Sequence, residues 1–265
     1  NTAIGNNSLA ANTTGSSNSA VGSGALAANT TASNNTAVGY NALTADTLGS
    51  KSLAIGTNAL NAQNFTTATD VYNVAVGFQA GLAVTTGISN TLIGGLAGDA
   101  LTDADDNVAV GYLALSTDTL GSKSTALGRN ALGTQNFTTA TDSYNVAVGF
   151  HAGAAITTGS SNILVGGLAG DSLTVGNGNI AIGLNALGTD TKGDRNVAIG
   201  LNSLATQNFT TSTDSYNTAV GYQAGYATTT GVENTLIGAL TGDALTTGQQ
   251  NVALGWNALS LDTLG

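Results

Sequence analysis

Residues 36–44 read Asn-Thr-Ala-Val-Gly-Tyr-Asn-Ala-Leu, and the cadence returns as Asn-Val-Ala-Val-Gly-Phe-Gln-Ala-Gly at 73–81 and Asn-Val-Ala-Ile-Gly-Leu-Asn-Ser-Leu at 196–204. Its glycine stands at 5, 22, 39, 56 and 77, and the resulting 17/17/17/21 spacing repeats as far as Gly255. Four units therefore make a 72-residue super-repeat in which Gly5, Gly77, Gly149 and Gly221 are equivalent. The copies run over 1–72, 73–144, 145–216 and, incomplete, 217–265. Self-similarity at such a period is the signature of a repeat architecture.

The residue before the repeat glycine is Ile, Val or Leu in all fifteen units. Asn stands four before it in thirteen, replaced by Ser52 and Ser124. Eight after it comes Thr in all twelve 17-residue units, as at Thr13, Thr30 and Thr263. Two glycines per unit with many Thr, Asn and Val make poor helix. The period instead predicts an all-β fold: a single-stack parallel β-solenoid of fifteen coils, one continuous segment over 1–265. Stacked coils place equivalent residues about 4.8 Å apart, so each position becomes a ladder of like with like. Branched residues such as Val38, Ile55 and Val76 suit a pleated face, and Asn and Thr ladders pass hydrogen bonds from coil to coil. Alanine two before the glycine points to the opposite face, where its small size would let another chain approach.

Composition excludes several functions. Charged residues are 8% of the 265, against roughly 25% in typical soluble domains. There is no Pro, Cys or Met, and the net charge is −10. Nucleic-acid binding needs clustered cations and is not expected. No apolar run approaches the roughly 20 residues of a membrane span. Much of the apolar 42% is Ala, which predicts a thin core. Asn1 and Gly265 both fall inside a motif, so the segment reads as an excerpt of a longer fibre.

Asn-Thr-Ala-Val-Gly-Tyr-Asn-Ala-Leu and its copies resemble the head repeat of trimeric autotransporter adhesins, with similar coils in bacteriophage and algal-virus tail fibres. The resemblance covers the whole chain. It implies a left-handed β-roll and copies of the chain side by side as a trimer. The 17/17/17/21 pattern is not the usual, shorter form of that coil.

The fourth coil of each super-repeat gains four residues within QNFTTATDVY (63–72), QNFTTATDSY (135–144) and QNFTTSTDSY (207–216). These predict loops protruding from the stack. One reading makes them contact sites for surface glycans or proteins, through Phe65, Asp70 and Tyr72, then Phe137, Asp142 and Tyr144, then Phe209, Asp214 and Tyr216. The other makes them structural bulges whose Phe tucks over the solenoid. An aromatic ladder follows the repeat glycine at Tyr40, Phe78, Tyr112, Phe150, Tyr222 and Trp256. Its expected role is to cover apolar surface or pack between chains rather than to bind sugar.

No enzyme is expected. The single histidine, His151, has Gln79 and Gln223 as equivalents, and no Cys is present, so a nucleophilic triad is improbable. The acids recur in sets: Asp46, Asp118, Asp190 and Asp262; Asp99, Asp171 and Asp243; Asp70, Asp142 and Asp214. Members of one set stand about 19 Å apart. That is too far for a glycosidase pair, and beyond the roughly 8 Å Debye length that governs repulsion between exposed charges. No cofactor is expected; Asp103, Asp105 and Asp106 beside Asn107 form the one oxygen-rich cluster where an opportunistic Ca²⁺ would find ligands. The Thr ladder is interrupted by Asn64, Asn136 and Asn208, which suits a hydrogen-bonding turn better than a flat ice-binding array. The expected function is the structural, adhesive shaft of an extracellular bacterial fibre. A phage tail-fibre shaft on the virion is the alternative, and a glycan- or ice-binding solenoid the third.

Overall fold

In the computed structural model, which describes residues 1–265, the chain is a parallel β-solenoid of fifteen coils without a helix. It divides into two compact units, one of Asn1–Leu127 with Asn136–Asp142, the other of Gly128–Gln135 with Ser143–Gly265. Each coil supplies one three-residue strand ending just before the repeat glycine. The first unit holds eight, from Thr2–Ile4 to Thr125–Leu127, and the second seven, from Val146–Val148 to Val252–Leu254. Thr2 pairs with Ser19 and Ile4 with Val21, so each partner lies one repeat further along the chain. Across the 21-residue coil Leu53 pairs with Val74 and Ile55 with Val76, so the extra residues leave this register intact. In the second unit Ile180 pairs with Val197, and Val197 with Thr218.

Strands this short need frequent corners. In the third coil Asn34, Asn41 and Leu43 take φ of 62°, 51° and 51°. Asn tolerates the left-handed region, whereas Leu pays about 1–2 kcal/mol to enter it. Leu43 is completely buried, and burying a leucine yields about 1.5–3 kcal/mol, which offsets the strain. The repeat glycine has no such alternative. At Gly183 φ is 134° and a Cβ would sit 2.6 Å from the carbonyl oxygen of Gly200 in the next coil, which is why this position is glycine in every coil.

The inward face belongs to alanine. Ala20, Ala37, Ala54, Ala75, Ala109 and their equivalents are fully buried, while Val38 and Ile55 are 37% exposed. The expectation that alanine faces outward for another chain is thereby reversed. Corner leucines such as Leu26, Leu43 and Leu60 fill the interior, so most coils put alanine at the inward strand position and leave Val, Ile or Leu outside. Packing is balanced within and between neighbouring coils. Leu92 replaces the inward alanine of the sixth coil, and room for it is left by Gly81 and Gly98, where a Cβ would come within 2.7 Å of its methyls. Interiors packed this closely leave no slack for a methylene.

Polar ladders join the coils. The Asn35 backbone N–H donates to Asn18 Oδ1 at 2.9 Å, and Asn35 Nδ2 donates to the Gly49 carbonyl at 2.8 Å. The Ser52 N–H then donates to Asn35 Oδ1 at 2.8 Å. Where Ser52 is too short to continue, Gln63 bridges: its Nε2 donates to Ser52 Oγ at 3.1 Å and its Oε1 accepts from Asn73 Nδ2 at 2.9 Å. Threonines do the same at another corner, as Thr30 Oγ1 donates to the Thr47 carbonyl at 3.1 Å. These bonds satisfy backbone groups that burial would otherwise strand.

Candidate contact surfaces

The 21-residue coil is organised by a buried carboxylate. Asp46 Oδ1 accepts from the N–H of Gly49 at 2.9 Å and of Phe65 at 3.3 Å, while Oδ2 accepts from Gln63 Nε2 at 2.5 Å. The same set recurs at Asp190, which takes the N–H groups of Gly193 and Phe209 and the Gln207 amide. A carboxylate presents acceptors only, which three converging donors require. Desolvation pushes the Asp46 carboxyl above its ordinary value even so. Asp46, Asp118 and Asp190 are fully buried, so these three are structural anchors rather than the spaced surface charges expected of them.

The protruding loops are also corrected. Thr69–Asp70 pairs in parallel with Gly49–Ser50 of the preceding coil, as Thr141–Asp142 does with Gly121–Ser122 and Thr213–Asp214 with Gly193–Asp194. Phe65, Phe137 and Phe209 are buried at 6–7% exposure. A Cβ on Gly49 would meet the Phe65 ring at 2.9 Å, so the ring fills the space that glycine leaves. The rings tuck over the solenoid, as the bulge reading expected, while apices such as Thr66–Ala68 stand clear.

Asp70 and Tyr72 do reach the surface, with a third residue the sequence reading passed over. Lys51 Nζ donates to Asp70 Oδ2 at 2.6 Å and to the Tyr72 hydroxyl at 3.0 Å, and lies 5.0 Å from the Tyr72 ring centre. The Asp70 bond pushes its ammonium up to about 12. Lys123 pairs with Asp142, and Arg195 pairs with Asp214 while lying 5.7 Å from the Tyr216 ring. Positions 51, 123 and 195 are one super-repeat apart, a signal that was open to view. Exposed pairs of this kind add little to stability, because water and salt screen them.

The acids of 102–107 serve the ladders. Asp105 Oδ1 accepts from the Ile88 N–H at 2.7 Å, and the Asp105 N–H donates to Ser122 Oγ at 2.9 Å. Asp103 Oδ1 accepts from Thr86 Oγ1 at 2.5 Å. The three carboxylates are not gathered into a group able to hold an ion. Burial raises the Asp105 carboxyl. Asp99, Asp171 and Asp243 each keep one carboxylate oxygen shielded and without a hydrogen-bond partner, and burial likewise raises Asp99 and Asp171.

Two apolar features remain. The outward residue before each repeat glycine forms an unbroken apolar row within each unit, as Val38, Ile55, Val76, Ile93 and Val110 in the first and Val148, Val165, Ile182 and Ile199 in the second. The other outward position is apolar at Leu53, Val74 and Val108 but threonine at Thr36, Thr91, Thr125, Thr218 and Thr235. One residue past the glycine corner runs the aromatic row, with Tyr40, Phe78 and Tyr112 between 50% and 57% exposed. His151 stacks on Phe150 with ring centres 4.1 Å apart. Comparison with known proteins returns no matching family model, no matching curated protein and no matching solved structure. The functional reading therefore rests on these surfaces.

Proposed function

We propose that the chain is a shaft segment of an extracellular fibre, structural and adhesive, with no catalytic step, in which copies of the chain lie side by side. The observation that carries this reading is the outward stripe of Val, Ile and Leu. A contiguous apolar face marks an interaction surface, and copies laid against one another would cover it along its length. The interchangeable coils support the rest: a solenoid is stabilised by nearest-neighbour terms, so length can be added by duplication. Deleting residues 145–216 from the intact protein removes one super-repeat. Electron microscopy should show fibres shorter by about 19 Å, four strand spacings, with assembly retained. Fibres of unchanged length, or loss of assembly, would count against a shaft.

A further inference from the structure

The aromatic row has a period of its own. In the first unit Tyr40, Phe78 and Tyr112 belong to the third, fifth and seventh coils, and Thr57 and Gly95 occupy the same position between them. Rings therefore recur every second coil, about 9.6 Å apart. A Cβ on Gly95 would meet the Tyr112 ring at 3.6 Å, so the small residue lets the ring lie back over the preceding coil with half of it open. The second unit keeps the two-coil spacing only between Tyr222 and Trp256, with Ala239 between them; Phe150 and Tyr222 are four coils apart, with Leu184 and Leu201 among the intervening residues.

A second feature accompanies the rings. Gln79, His151 and Gln223 follow Phe78, Phe150 and Tyr222 with φ of 55°, 56° and 53°. Asn or Gly would hold that conformation with less strain, so backbone geometry does not explain these choices. The side-chain amides of Gln79 and Gln223 make no hydrogen bond within the chain. Gln79 and Gln223 thus set a hydrogen-bonding amide beside a half-exposed ring, whereas at the equivalent place His151 stacks on Phe150, with Arg129 5.8 Å from the same ring.

We infer that this row is a binding track for an extended, neutral β-1,4-linked polysaccharide. Successive sugars in such a chain turn over, so alternate rings present the same C–H face, and the disaccharide advance is close to two coil spacings. Sugar C–H faces stack on aromatic rings, and hydroxyl groups bond to the adjacent amide or imidazole. The chain's charge of −10 disfavours anionic polysaccharides. Curled α-linked glucans lack the alternating flat faces that rings in every second coil would meet. The track lies past the glycine corner, apart from the strand stripe proposed to join copies.

Titration of the 265-residue chain with cellohexaose and chitohexaose, and with maltohexaose as control, tests this. Binding of a β-1,4 hexasaccharide but not maltohexaose is expected. Phe78→Ala and Tyr112→Ala should each weaken it about three- to tenfold, Gln79→Ala should weaken it too, and the circular dichroism spectrum should stay unchanged. Ile93→Lys, on the strand stripe, should leave glycan binding intact whatever it does to association. The inference fails if neither β-linked hexasaccharide binds, or if binding ignores the ring substitutions. It also fails if the alanine variants lower only the molar mass, which would make the row an interface between copies.

Discussion

Gly183→Ala concentrates its effect on one coil-to-coil junction. Two costs add. The alanine must hold a φ of 134°, a region essentially reserved for glycine, at about 1–3 kcal/mol. Its methyl would also sit 2.6 Å from Gly200 O and 2.7 Å from Gly200 C, roughly 1 Å inside normal contact distance. Those atoms cannot retreat freely, because the Gly200 N–H is bonded to Ile182 O at 2.7 Å and the Gly183 N–H to Val165 O at 2.8 Å. Losing one or two such bonds adds about 1 kcal/mol each, for a total of about 2–5 kcal/mol at this junction. Native-state hydrogen exchange should show the amides of Gly200 and Asn202 losing protection, while those of Ser19 and Gly22 keep theirs. Gly255→Ala is the comparison, since Gly255 has a φ of 121° and nothing within 4 Å of its would-be Cβ. If Gly183→Ala exchanges like the wild type, or costs no more than Gly255→Ala, the close-stacking argument is wrong.

Asp46→Ala strips the acceptor from two N–H groups and the Gln63 amide, and should cost about 3 kcal/mol in urea denaturation. Asp46→Asn should recover only part of that loss, because its amide cannot accept all three donors. Stability should rise on mild acidification. Asp46, Asp99, Asp105 and Asp171 all have folded values above the ordinary 3.8. Each therefore opposes folding when ionised, and the penalty fades as pH falls through the folded value towards 3.8. Relief of the −10 net charge acts in the same direction. Melting temperatures should climb as the pH is lowered from 7 towards 3.8; a steady fall would contradict the burial of these carboxyls.

Period was legible in the sequence and facing was not. The alternation of 17- and 21-residue coils predicts the strand register, because a ladder of like residues forms only when coils close in step, as at Leu53 and Val74. Alternation along Thr36–Val38 says that Ala37 and Val38 face opposite ways without saying which is inside. That depends on how much of the interior the corner residues already fill, as Leu43 does where the inward residue is alanine and Gly81 and Gly98 do not where it is Leu92. The buried role of Asp46 was hidden because a repeated acid reads as a surface charge until its donors, Gly49, Gln63 and Phe65, are seen to converge on it. Phe65 was recognised as part of a recurring insertion. Its burial depends on space over Gly49, which no local pattern reveals.

In a side-by-side fibre the outward row of Val, Ile and Leu is covered by copies of the chain. Light scattering of residues 1–265 in solution measures this most directly. The prediction is a molar mass that is a multiple of 25.8 kDa, falling towards one chain in Ile93→Lys with the β-sheet spectrum retained. A folded wild-type chain that stays at 25.8 kDa at high concentration would contradict it.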